Sequence, residues 1–197
     1  MAALLDAAAS PGFPGRIALA LCNVGGAPGL ALAERRGVEA RCIPHRDFGG
    51  DRQAHEAALD AALREREVEL LCLAGYMRVL TPWFVERWAG RMLNIHPSLL
   101  PAFPGLDTHA RALQAGVKLH GCTVHLVTHE VDSGPILAQA AVPVLPGDDP
   151  DRLAARVLAQ EHRLYPLALR LLLEGGPGSA DPAAALLNPL PAPAGAP

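Results

Sequence analysis

The chain has 197 residues, half of them apolar and 19% charged, with 17 basic and 20 acidic side chains for a formal net charge of −3. That length suits one domain burying roughly 70% of its unfolded surface. The charge balance gives no electrostatic reason to expect nucleic acid or an acidic membrane as partner, no run of about 18 apolar residues is present to span a bilayer, and an N-terminus that lacks a basic stretch and carries Asp6 argues against a signal peptide.

A cytoplasmic location is expected. Cys22, Cys42, Cys72 and Cys122 are far apart, without a Cys-x-x-Cys pair. They read as buried thiols of a reducing compartment.

Met1 to Ala9 is an alanine- and leucine-rich helix stopped by Ser10-Pro11-Gly12. Ile17 to Cys22 reads as a strand, followed by Asn23 and a glycine-rich turn through Gly29. Leu30 to Arg36 is a short helix closed by Gly37, and Val38 to Ile43 is the next strand. A charged, alanine-rich helix then covers Asp51 to Arg66. Val68 to Ala74 reads as a fully buried parallel strand ending at Gly75. Thr81 caps a helix with Pro82 in its first position, reaching about Trp88. Strands alternating with helices at this spacing predict an α/β fold with a mostly parallel, Rossmann-like sheet flanked by helices.

Leu93 to His96 alternates apolar and polar residues after the turn-forming Ala89-Gly90, which predicts a short strand. Asn94 and His96, two apart, project to one face. Pro97 ends the strand because it has no N–H for the ladder. An amide and an imidazole therefore arrive side by side at a strand's C-terminal end, where open α/β sheets hold their ligands. On these ten residues alone a satisfied core histidine is an equal alternative.

Asp107-Thr108 opens a helix to Ala115. Cys122 to Val127 and Ile136 to Val144 form two strands around the polar loop His129 to Gly134, an antiparallel addition at the C-terminal side. Asp149 caps a long amphipathic helix to about Glu174, with Pro150 in its first position. The expected domain is 1–174. Residues 175–197, rich in Pro, Ala and Gly, read as a disordered tail. His120, His125 and His129 do not have the spacing of a zinc set, and no metal is expected. His125 reads as a core histidine or one supporting the site, and His45, His55, His109 and His162 carry no separate signal.

Gly75-Tyr76-Met77-Arg78-Val79-Leu80, Asn94-Ile95-His96-Pro97-Ser98-Leu99-Leu100-Pro101, Pro104-Gly105-Leu106 and Val131-Asp132-Ser133-Gly134-Pro135 together resemble the folate-dependent formyltransferases. Within that group, Pro104 to His109 and the compact length resemble the phosphoribosylglycinamide formyltransferases (GAR transformylases), and the resemblance covers about Met1 to Glu174. It implies formyl transfer from 10-formyltetrahydrofolate to the glycinamide amine in purine synthesis, with small-molecule substrates and no metal. It implies Asn94, His96 and Asp132 as a catalytic trio, with Asp132 holding the imidazole and favouring its charged form. Without the resemblance, Asp132 is a turn residue ahead of Ser133-Gly134.

For the folate, the resemblance implies Arg52, Met77, Arg78, Val79 and Leu80, together with Thr128, His129, Glu130, Val131 and Asp132, largely through backbone groups. His129 stands where family members commonly carry an acidic residue. Gln160 and Glu161, with Asn94, match positions near the glycinamide substrate. Members of the family begin with an apolar strand and a Gly-x-Gly-Ser-Asn turn that binds the substrate phosphate. Met1 falls where that turn hands over to the helix, so one strand and one turn, about a dozen residues, are expected upstream of an internal methionine. Gly25 to Gly29 reads as a plain loop, not as a substitute. The alternatives are a truncated, inactive folate-binding remnant and a sister formyltransferase with another amine acceptor.

Overall fold

Local capping decides where each early strand of this chain can start. A computed structural model describes residues 1–175 and the backbone of residues 186–187. It divides into two units, Met1–Asn94 with Val127–His129, and Ile95–Leu126 with the chain from Glu130 onward.

The first unit contains helix α1 (Ala2–Ala8), strand β1 (Ala20–Cys22), α2 (Pro28–Arg35) and β2 (Ala40–Cys42). A 3₁₀ turn over His45–Phe48, α3 (Arg52–Glu65), β3 (Leu71–Leu73), α4 (Pro82–Arg87) and the start of β4 (Met92–His96) follow. β1 pairs with β2, and β3 with β4, both in parallel, as strands joined through a helix should. The strands are shorter than their apolar runs. Gly37, at φ 72°, ends α2 in a left-handed turn, and the N–H of Val38 donates back to the Ala33 carbonyl at 3.0 Å. Val68 donates to Leu63 in the same way at 3.1 Å after Glu67 at φ 51°. A donor used to close the preceding helix cannot join a ladder. β2 therefore begins at Ala40 instead of Val38, its partner β1 at Ala20 instead of Ile17, and β3 at Leu71 instead of Val68. Within β3 only Leu71 is fully buried, and Ala74 is exposed where the chain turns through Gly75. The cysteines also depart from expectation. Only Cys122 is buried; Cys22 and Cys72 are half-buried and Cys42 is exposed, two of them at the ends of these shortened strands.

Capping side chains fix the helix starts of this unit. Asp51 accepts the N–H of Ala54 at 2.9 Å to cap α3, and Thr81 accepts that of Phe84 at 3.4 Å to cap α4, with Pro82 at the first position. The core of this unit gathers Leu59, Leu63, Leu71, Phe84, Val85, Trp88 and Met92. Two carboxylates of α3 are buried among them. Glu56 accepts from the N–H of Thr81 at 3.0 Å and from its hydroxyl. Asp60 accepts from Arg87 Nε at 3.1 Å and Trp88 Nε1 at 3.2 Å. Buried charges need such partners, and these fix α4 against α3.

The second unit contains α5 (Thr108–Gln114), β5 (Leu119–Leu126), β6 (Ile136–Pro143), α6 (Pro150–Gly175) and the two-residue β7 (Leu186–Leu187). β5 and β6 are antiparallel, from Leu119 opposite Pro143 to Val124 opposite Ala138, with a register shift before His125. β7 lies parallel to β6 at Gln139–Ala140. α6 packs on β5 and β6 and buries Leu153, Val157, Leu164 and Leu169, while the two strands bury Cys122, Val124, Ala138, Ala140 and Val142. Asp149 caps α6 by accepting the N–H of Arg152 at 2.8 Å. The rest of the expected tail lies outside the described residues. Among the described residues no helix is long and apolar enough to cross a membrane.

Candidate active site

His96 is the last residue of β4 and is 5% exposed. Its Nε2 lies 3.0 Å from the Phe103 carbonyl, which can only accept, so Nε2 carries the donated hydrogen. Its Nδ1 lies 3.3 Å from Asp132 Oδ2. Both nitrogens of the ring thus face oxygen acceptors, an environment that satisfies both N–H groups of an imidazolium. Asp132 stands in the loop after β5 at φ 54°, a left-handed conformation that Asp tolerates better than most residues. Its Oδ2 also accepts the N–H of Gly105 at 2.8 Å, and its Oδ1 is 3.7 Å from His125 Nε2. The carboxylate is therefore aimed from three directions, with its side chain 9% exposed.

The segment that supplies Phe103 and Gly105 is held by polar contacts. Ser98 donates to the Ala102 carbonyl at 2.6 Å, and Thr123 accepts the N–H of Leu100 at 3.0 Å. Thr108 donates to the Pro97 carbonyl at 2.8 Å, and Arg111 to that of Pro104 at 2.5 Å. Phe103 itself is at φ 55°, a strained conformation for an aromatic residue. That strain sits at the carbonyl that meets His96.

Three of the other imidazoles in the second unit lie on α5 and β5. Burial pushes His125 below its ordinary range, against the opposing influence of the Leu126 carbonyl and Asp132. His120 Nε2 is 3.2 Å from His109 Nδ1. Burial, with the charges of His109 and His96 behind it, pushes His120 down to about 4. Burial and then His96 lower His109 as well. These three rings are biased towards neutrality.

In the first unit, Arg52 at the start of α3 donates to the Val79 carbonyl at 3.3 Å, which joins it to the predicted segment 77–80. Met77 and Val79 are 76% and 59% exposed, Arg78 is half-buried, and Leu80 packs on the Phe84 cluster. Val127 packs on the same cluster, followed by half-buried Thr128 and by His129, 3.7 Å from Glu86. Asn94 is half-buried on β4, in register with Leu73 and two positions before His96. In the second unit Glu130 and Val131 are exposed. On α6, Gln160 accepts from Arg163 at 3.4 Å, and burial raises the Glu161 carboxyl. Among the described residues no group of three or more His, Cys, Asp or Glu side chains is placed to hold a metal.

The His109–His120 pair and the backbone partners Phe103 and Gly105 were not foreseen. Backbone groups leave no side-chain pattern in a sequence, and the two histidines are eleven residues apart in different elements. His125 shares its strand face with Thr123, two positions earlier, and that alternation was its one available signal.

The family model described as Formyl transferase matches residues 1–169. The crystal structure of a phosphoribosylglycinamide formyltransferase from Brucella melitensis is similar, with a TM-score of 0.84 and 56% identity over 89% of this chain and 90% of that one. The Escherichia coli protein of the same name is 41% identical over 88% of this chain and 81% of its own length. A Gallus gallus relative, trifunctional purine biosynthetic protein adenosine-3, is 47% identical over 88% of this chain, which spans only 17% of that protein. The matched span holds the buried His96–Asp132 pair and both segments joined by Arg52, and on it the chain belongs to the formyl transferase family.

Proposed function

We propose that this chain transfers the formyl group of 10-formyltetrahydrofolate to the amine of 5-phosphoribosylglycinamide, in purine biosynthesis. The observation that carries the proposal is the buried 3.3 Å approach of Asp132 to His96, within a span that matches formyl transferases. The substrate amine attacks the formyl carbon, and negative charge builds on the formyl oxygen. The Asn94 carboxamide and a protonated His96, whose Nε2–H exchanges the Phe103 carbonyl for the substrate, are the donors for that oxygen, each of a kind worth about 10²–10³ in rate. Asp132 orients the imidazole and compensates its charge. The proton released by the amine reaches the departing folate nitrogen through His96 or an ordered water, a role worth about 10²–10⁴. Collapse of the tetrahedral adduct breaks the bond to the folate nitrogen and leaves formylated glycinamide and tetrahydrofolate.

Arg52, Met77, Arg78, Val79 and Leu80 are proposed folate residues, with Thr128 and His129. The Arg52 hydrogen bond to the Val79 carbonyl supports the reading, because it ties the guanidinium to this segment. Glu130, Val131 and Asp132 are proposed to act through backbone groups. Asn94, Gln160 and Glu161 are assigned to the glycinamide substrate. The test is purified chain with 10-formyltetrahydrofolate and 5-phosphoribosylglycinamide, following release of tetrahydrofolate. Formyl transfer that requires both substrates and is lost in His96→Ala supports the assignment. Transfer only to other amines, or none, overturns it.

A further inference from the structure

Cys22 and Cys42 end β1 and β2, and they are register partners in that parallel ladder. Partners on neighbouring strands lie about 4.8 Å apart, within the Cα separation of about 4.4–6.8 Å that a disulfide requires. In a parallel ladder both side chains leave the same face. Two positions earlier on that face, Ala20 and Ala40 pack in the small apolar cluster with Ala33 of α2. On the opposite face, Leu21 packs on the Phe84 cluster and Arg41 pairs with Glu65 at 2.6 Å. The two thiols therefore emerge together past the rim of the small cluster, Cys22 half-buried and Cys42 exposed. Pairing continues beyond them, with the N–H of Ile43 on the Cys22 carbonyl at 2.9 Å and that of His45 on the Asn23 carbonyl at 3.2 Å. The ladder thus holds both Cα atoms at strand spacing. In the β3–β4 ladder Cys72 is opposite Leu93, and in the β5–β6 ladder Cys122 is opposite Ala140.

We infer that Cys22 and Cys42 form a dithiol that low-molecular-weight disulfides, such as oxidised glutathione, reversibly oxidise. The exposed Cys42 thiolate attacks one sulfur of the oxidant. Its S–S bond breaks, a mixed disulfide forms at Cys42, and one small thiol leaves. Cys22 then gives up its proton and attacks the Cys42 sulfur, forming the Cys22–Cys42 bond and expelling the second small thiol. Two cysteine thiols are oxidised while one disulfide is reduced to two thiols, so electrons and protons balance. The inference is independent of the proposed formyl transfer, since it uses none of the residues assigned to that reaction.

The experiment incubates the native chain with oxidised glutathione at neutral pH, counts remaining thiols, and maps the linkage by mass spectrometry of unreduced peptides. Two of the four thiols should disappear. One cross-linked peptide pair should contain Cys22 and Cys42, and dithiothreitol should reverse the loss. Cys22→Ser should stop at the glutathione adduct of Cys42. Cys42→Ser should slow oxidation of Cys22 by on the order of tenfold or more, because the exposed attacking thiol is gone. An unmodified wild-type chain would overturn the inference, as would a stable adduct at Cys42 without the cross-link, or a link to Cys72, Cys122 or a second chain. The wild-type result decides the matter even if a serine variant folds poorly.

Discussion

Lowering the pH from 7 to 5 should weaken this fold through His120, and by an amount that can be worked out. An unfolded histidine titrates near 6.5, while burial holds His120 in the folded chain down at about 4. Above pH 6.5 the ring is neutral in both states, and the full stability is present. As the pH falls below 6.5, the unfolded chain takes up a proton that the folded one refuses, and stability is lost progressively towards pH 4. Linkage between these two values gives a loss of about 2 kcal/mol at pH 5 from this ring alone. His120 is only 1% exposed, so solvent screening reduces the figure little. His109 and His125 are lowered too and act in the same direction. The comparison must therefore be between the wild type and His120→Asn, which removes one titrating group and leaves the others. Urea unfolding at the two pH values should show the variant losing about 2 kcal/mol less than the wild type. An NMR titration should place the His120 imidazole well below 6.5. Equal pH losses in the two proteins, or an imidazole titrating near 6.5, would refute the reasoning.

Asp132→Asn keeps a residue that tolerates φ 54° but removes the charge beside His96. Steady-state assays should show kcat falling by on the order of 10²–10³, while fluorescence titration finds folate affinity much less affected; equal losses in both would make Asp132 a structural residue. Gly121→Ala should be severely destabilising, because its Cβ would lie 2.0 Å from the Ala140 carbonyl oxygen and 2.9 Å from Leu99 Cδ2. The β5–β6 ladder would have to spread, at a cost of roughly 3 kcal/mol or more, read as a lower Tm or loss of soluble protein. Thr81→Ala removes both the cap of α4 and a donor to buried Glu56. A denaturation midpoint reduced by the equivalent of about 1–3 kcal/mol is expected, and an unchanged midpoint would show that water replaces the hydroxyl there.

The amino-acid sequence by itself determines what neighbouring residues settle among themselves. Thr81 and Asp149 announced their helices because a cap bonds to an N–H three residues on. Alternation along β4 was enough to put Asn94 and His96 at like positions. The apolar runs overstated the strands at Val38 and Val68, because hydrophobicity does not reveal that a backbone donor is already committed to a helix end. Buried Glu56 and Asp60 could not be told from solvated charges on α3, since their partners arrive from α4 about 25 residues later. Asp132 meets His96 across thirty-six residues, through a segment held by Thr123 and Thr108 and a turn with left-handed backbone at the acid itself. Residue types and their local order thus belong to the sequence, because the forces behind them act within a few bonds. The pairing of imidazole with carboxylate, and of Cys22 with Cys42, belongs to the tertiary structure, because only chain packing sets distances between residues so far apart in sequence.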